Sequence, residues 1–113
     1  MKEVKGGVCA PLGFQATGIH CGIRKNKTKK DLSLIVSDVM CHAASTYTLN
    51  KVKGAPIVVT KQHLLNGEAK AIICNSGNAN TCNPNGEDIA NQVCELCADA
   101  LNIKADDIIV AST

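Results

Sequence analysis

Aromatic side chains are almost missing from this sequence. Among 113 residues there is no Trp, and Phe14 and Tyr47 are the whole aromatic set. The core must therefore be aliphatic. A single-stranded nucleic-acid platform, which stacks bases on aromatic rings, is nearly excluded. Long hydrophobic runs are missing too. No stretch approaches the ~20 apolar residues that span a bilayer. The opening Met1-Lys2-Glu3-Val4-Lys5-Gly6-Gly7 lacks the apolar segment of a secretory signal. There is no G-K-[ST] phosphate loop, no G-x-S-x-G serine elbow, and only three histidines, His20, His42 and His63, from which no triad can be built.

What is present points to a folded domain. Hydrophobic residues make up 45% and charged residues 19%, a balance that argues against disorder. The length fits one domain, which buries roughly two-thirds of the surface its unfolded chain exposes. The formal net charge is +2, but the charge is uneven. Residues Arg24 to Lys30 hold five bases and no acid, and the remainder has seven bases against ten acids. Such a run reads either as an anion patch or as a solvated loop between strands. Its shortness and lack of flanking aromatics favour the loop. Seven cysteines, Cys9, Cys21, Cys41, Cys74, Cys82, Cys94 and Cys97, with no signal peptide, predict reduced thiols in a cytoplasm.

Along the chain, Phe14–Arg24 reads as a strand interrupted by Gly18 and Gly22. Asp31–Val39 reads as a strand whose Leu34-Ile35-Val36 centre is buried on both faces, and Ala44–Leu49 as another, rich in Thr and Tyr. Pro56 opens Ile57-Val58-Val59-Thr60, a short strand or the run-in to a short helix. Lys61–Asn66 is weakly helical and closed by Gly67. Ala69–Cys74 is a buried strand. Glu87–Leu101 is a helix whose Ile89, Val93, Leu96, Cys97, Ala100 and Leu101 follow the 3.6 period, with Ala90 and Cys94 widening the stripe. A turn over Ile103–Asp107 leads to a last strand, Ile108–Val110. Buried strands alternating with a crossover helix argue for an α/β layer architecture.

Three groups of residues could carry chemistry. Cys94-Glu95-Leu96-Cys97 has redox or zinc spacing, but it lies within the helix, where two small core residues are the simpler reading. His20-Cys21 and Cys41-His42 could each give one ligand to a metal, since strand neighbours point to opposite faces. Asn75-Ser76-Gly77-Asn78-Ala79-Asn80 is the most distinctive stretch. Asn and Gly tolerate turn geometry, so it is either a plain connection or a polar loop bordering a site. Thr113 follows the last strand, at the carboxyl end where α/β sites gather. The abrupt stop there suggests a truncated chain.

Read end to end, the sequence resembles the N-terminal part of the ornithine acetyltransferase family, the bifunctional glutamate N-acetyltransferases of arginine biosynthesis. Gly7-Val8-Cys9-Ala10-Pro11-Leu12-Gly13-Phe14 resembles the family's opening G-V-T-A-P-x-G-F. Asp31–Asp38 resembles its first long strand, and Thr48–Pro56 its T-x-N-x-V-x-A-A-P. Ala71–Cys82 resembles A-I-V-V-N-S-G-N-A-N-A-C, the most specific stretch, and Val110-Ala111-Ser112-Thr113 resembles the start of V-x-S-T-G-V-I-G. Departures are Cys9 for Thr, Gly54 for Ala, and Asn83-Pro84-Asn85 for a T-G-containing turn.

The resemblance implies an αββα layered sandwich of the ornithine acetyltransferase and DmpA-like class, with residues 1–113 as the N-terminal part of a single α/β domain. It implies acetyl transfer from N-acetylornithine to glutamate through an acetyl-threonine enzyme. The precursor cuts itself before an internal Thr, which becomes the nucleophile at the start of a β chain in an α2β2 assembly. Thr113 matches an oxyanion-hole residue whose Gly partner and nucleophilic Thr lie outside this chain, so the segment alone is expected to be inactive. No cofactor is implied, although acetyl-CoA is a co-substrate in some members, and neither a nucleic acid nor a membrane is a partner. The alternatives are a related N-terminal-nucleophile aminopeptidase and a Cys/His metal-binding module.

Overall fold

The computed structural model describes residues 2–113. Six regular elements occur in the order β1 (Phe14–Ile19), β2 (Leu32–His42), α1 (Ala55–His63), β3 (Glu68–Asn75), α2 (Gly86–Leu101) and β4 (Ile108–Ser112). The strands form one sheet in the order β1-β2-β3-β4. The first two pairings are antiparallel, and β3–β4 is parallel. A parallel pair needs a crossover, which α2 supplies.

Strand pairing decides which side chains face the helices. Leu34, Ile73 and Val110 lie in one cross-strand row, and Val36, Ala71 and Ile108 in another. All six pack in the core with Val59 of α1 and with Ala90, Cys94, Cys97 and Ala98 of α2. The alternating row, Ala16, Ile35, Ile72 and Ile109, points to the opposite face. No helix covers that face, and Ile72 remains 37% exposed. The Leu34–Val36 centre is therefore half-buried, and burial on both faces, expected from the sequence, is met on one face only.

The helices also depart from expectation in instructive ways. In α2 the buried residues are the small ones, Ala90, Cys94, Cys97 and Ala98. Small side chains let the helix axis lie close to the sheet. Ile89 and Leu96, expected within the buried stripe, turn outward, and Leu96 is 71% exposed. Of the two readings of Ile57–Thr60, the helical one holds, since the segment lies within α1. Pro56 sits in the first turn of α1, where its missing N–H has no helical partner to lose. Packing of Val59 against the core outweighs the β-branched propensity of Val58 and Val59. Gly67 closes the following Leu64–Asn66 turn in the left-handed conformation, as expected.

Ala44–Leu49, read as a strand, has no regular structure, and Leu49 is 99% exposed. β-propensity needs a ladder to act on, and both edges of β3 are already taken by β2 and β4. The free edge of β4 is closed by side chains of α1. Thr60 Oγ1 donates to Val110 O (2.8 Å) and accepts from Val110 N–H (3.1 Å), while His63 Nδ1 donates to Ile108 O (2.8 Å). These buried contacts cover an otherwise open edge and fix β4 along its length.

All seven cysteines are free. Burial pushes the Cys94 thiol up to about 11, helped by Cys97, Glu95 and Asp106, and burial raises Cys97 as well. Raised values keep both thiols protonated at neutral pH, unlike a redox C-x-x-C. In the folded chain, alkylation with peptide mapping should label exposed Cys9, Cys21 and Cys82 quickly, and Cys94 and Cys97 only after unfolding. A Cys94–Cys97 disulfide in fresh protein would contradict this.

Candidate functional site

The carboxyl ends of the parallel pair β3 and β4 lie side by side, with Asn75 opposite Ser112. The pairing runs one step further, since Thr113 N–H donates to Asn75 O at 2.9 Å. Because β2 is antiparallel to β3, its first residues come to the same end of the sheet, and Ser76 N–H donates to Asp31 O at 2.9 Å. Topology thus gathers Asp31, Asn75, Ser76, Thr113 and the loop after β1 at one end.

Asp31 organises that loop. Its side chain is fully buried and accepts N–H bonds from Cys21 (2.7 Å) and Arg24 (2.9 Å), with His20 Nδ1 3.0 Å away. Burial alone would raise the carboxyl pKa. The N–H groups of Arg24 and Cys21, then the Cys21 thiol and His20, outweigh it and hold the group well below the usual carboxylate range. His20 Nδ1 faces only acceptors, Asp31 and the Lys29 carbonyl, so it carries the proton. The sequence reading assigned Asp31 to the strand and missed this role, because nothing in the sequence separates a strand-opening Asp from a loop anchor.

The anchored loop turns Arg24 inward, and Lys25–Lys30 stay exposed as the solvated loop expected. Arg24 Nε donates to Ser76 Oγ at 2.8 Å. Its stem crosses Gly77, which has φ +100°, and a Cβ there would come within 2.5 Å of Arg24 Cγ. Only Gly fits both the backbone and the space.

Asn80 closes the other side. Its Nδ2 donates to Ser112 O at 2.6 Å, its carbonyl accepts Ala55 N–H at 3.0 Å, and its Oδ1 accepts the Thr81 hydroxyl at 2.7 Å. Gly54 gives it room, since a Cβ there would lie 3.0 Å from Asn80 Oδ1. The Asn75–Asn80 stretch is thus a loop tied to the ends of β2 and β4 and to the start of α1. Beneath it a cavity of about 610 Å³ opens between α2 and the sheet, lined by Ile73, Val93, Leu96 and Val110 with Asn75, Asn78 and Asn80 at its polar rim.

Thr113 follows Ser112 at the end of β4 and is exposed. Its N–H is committed to Asn75, and its hydroxyl makes no hydrogen bond to the described residues. Any donor it offers a ligand is therefore the hydroxyl. The metal-module alternative fails on placement. His20-Cys21 and Cys41-His42 lie at opposite ends of eleven-residue β2, about 30 Å apart at the usual rise per residue. Among the described residues, no group of three or more His, Cys, Asp or Glu could hold a metal ion. Among the described residues, no helix is long and apolar enough to cross a membrane.

Fold and geometry together give an α/β protein with a candidate site at the carboxyl ends of adjacent parallel strands, its cavity lined by aliphatic residues and edged by neutral amides. Comparison makes the class particular. Residues 15–113 match the ArgJ family model, and the chain belongs to the ArgJ family. Over its whole length it is 44% identical to the arginine biosynthesis bifunctional protein ArgJ of Symbiobacterium thermophilum and 41% identical to that of Listeria monocytogenes. It spans only 29% and 28% of those proteins. The crystal structure of the Bacillus halodurans ArgJ protein superposes with a TM-score of 0.82 at 38% identity, covering 89% of this chain and 53% of that one. Ornithine acetyltransferase from Mycobacterium tuberculosis, solved with ornithine, gives a TM-score of 0.83 at 35% identity, covering 92% and 57%. The fold expected from the resemblance is that of these structures. The family is ArgJ and not the aminopeptidase alternative.

Proposed function

We infer that this chain supplies the early scaffold and one oxyanion donor of an enzyme that moves acetyl from N-acetylornithine to glutamate. The observation that carries the reading is the position of Thr113, one step past the Asn75–Ser112 pair with its N–H pinned to Asn75, which leaves the hydroxyl as the donor it can turn to a ligand. The relatives' shared name in arginine biosynthesis and the ornithine bound to the M. tuberculosis enzyme support the substrate class.

In this reading, a threonine further along the full-length protein is freed by self-cleavage as the first residue of a β chain, within an α2β2 assembly. Its hydroxyl attacks the acetyl carbonyl of N-acetylornithine, its proton passing to the α-amino group. The carbonyl oxygen becomes an oxyanion, met by the Thr113 hydroxyl and by the backbone N–H of a glycine after it. The carbon–nitrogen bond breaks, ornithine leaves with the proton, and the acetyl ester remains on the nucleophile. The amine of glutamate then attacks the ester through a second oxyanion in the same place, which releases N-acetylglutamate. The reaction needs no cofactor, and acetyl-CoA is a second acetyl donor if the enzyme is bifunctional. Reduced thiols fit a cytoplasmic setting.

The test is a chain of the relatives' full length that carries this segment. Replacing the matching part of the S. thermophilum protein with residues 1–113 provides one. It should form ornithine and N-acetylglutamate in equal amounts from N-acetylornithine and glutamate. A folded, processed chimera that forms neither would contradict the reading.

A further inference from the structure

The contacts around Asn80 leave one group of the site without an assigned part. We propose that Asn80 is a positioning residue that sets the direction of the Thr113 hydroxyl by gripping the Ser112–Thr113 peptide; this rests on the oxyanion role given to Thr113 above.

That peptide unit is held at both of its polar ends. Its carbonyl oxygen, Ser112 O, accepts from Asn80 Nδ2 at 2.6 Å, and its N–H, on Thr113, donates to Asn75 O at 2.9 Å. A peptide plane can rotate about its flanking bonds only by giving up both contacts. The N–H contact continues the β3–β4 ladder and would form in any parallel pair. The carbonyl contact is different, because the partner is a side chain from a loop 32 positions away in sequence. Thr113 is the first residue past β4, and its N–H makes the last ladder contact with β3.

Asn80 is itself fixed on three sides. Ser112 O can only accept, so the Nδ2 end of the amide must face it, and the Thr81 hydroxyl holds the other end by donating to Oδ1 at 2.7 Å. The Asn80 carbonyl is tied to Ala55 N–H at the start of α1. Gly54 leaves the space that the amide occupies, its absent Cβ falling 3.0 Å from Oδ1 and 3.2 Å from Cγ. Asp at this position would fit, but it would set a carboxylate against a carbonyl oxygen and offer no proton. Displacement of a reacting or stabilising group by about 1 Å can cost on the order of 100-fold in rate. Asn80 touches no reacting atom in this account and acts only through Thr113.

The experiment is a double-mutant cycle in the full-length chimera, with folding and processing verified for each variant. Asn80→Asp should lower kcat by about 10- to 100-fold with the KM for N-acetylornithine nearly unchanged. Combined with Thr113→Ala, it should add little further loss, since a residue acting through Thr113 has nothing left to position. The kcat of Asn80→Asp relative to wild type should also rise as pH falls and the carboxyl gains a proton to donate to Ser112 O. Thr81→Val, which removes the hydroxyl that holds Oδ1, should show a smaller loss of the same non-multiplying kind and serves if Asn80→Asp does not fold. Losses that multiply in the cycle, or wild-type kcat in both single variants, would overturn the proposal. Wild-type kcat in Thr113→Ala would instead overturn the oxyanion reading beneath it.

Discussion

Thr113→Ala in the full-length enzyme should lower kcat for acetyl transfer by about 10²–10³, equivalent to roughly 2.7–4 kcal/mol of transition-state stabilisation. Folding should be unaffected. Thr113 is exposed, and its structural contact is the N–H bond to Asn75, which Ala retains. Substrate affinity should change little, because the oxyanion exists only in the transition state and intermediates. The proposed self-cleavage should slow as well, since it would pass through a similar tetrahedral state. Circular dichroism and thermal melts of both proteins, beside steady-state rates, check each part.

The second large effect concerns the sheet face that no helix covers. Ala16, Ile35, Ile72 and Ile109 form a continuous cross-strand row there, with Phe14 37% exposed on the same face. Contiguous apolar patches beyond a few hundred Å² are uncommon on soluble monomers. The 113-residue chain on its own should therefore self-associate, bind a hydrophobic dye strongly and melt without a sharp transition. Sedimentation at micromolar concentration should show species larger than 11.8 kDa. Ile72→Lys, which places a charge in the middle of the row, should shift the chain towards monomer and reduce dye binding several-fold. A monomeric wild-type chain with a sharp cooperative melt would show that this face is tolerated in water.

Legibility in the sequence followed physical cause. The β3 strand, the α2 helix and the Gly67 cap rest on local periodicity and backbone preference, and each was readable. The buried face of α2 was less so. Periodicity marks a broad apolar stripe, but only the sheet decides that Ala90, Cys94, Cys97 and Ala98 lie inside it while Ile89 and Leu96 lie outside. Ala44–Leu49 has strand composition but joins no ladder, and the β-branched residues of α1 are held helical by the packing of Val59 on the core. The Asn75–Asn80 loop stood out by its residues, whereas its partners Arg24, Asp31 and Ser112 come to it from distant positions that spacing does not reveal. Thr113 was singled out by strand position and family resemblance together, and neither indicates that its N–H is already engaged.

The central claim is that the ends of β3 and β4 stabilise the charge that develops as acetyl leaves N-acetylornithine. Single-turnover acetylation tests it most directly. Full-length enzyme in excess is mixed with N-acetylornithine without glutamate, and the acetylated β chain is followed by mass spectrometry in wild type and Thr113→Ala. The expected result is acetylation slowed by about 10²–10³ in the variant, with the acetyl group on the same threonine. An equal acetylation rate in the two proteins would contradict the claim.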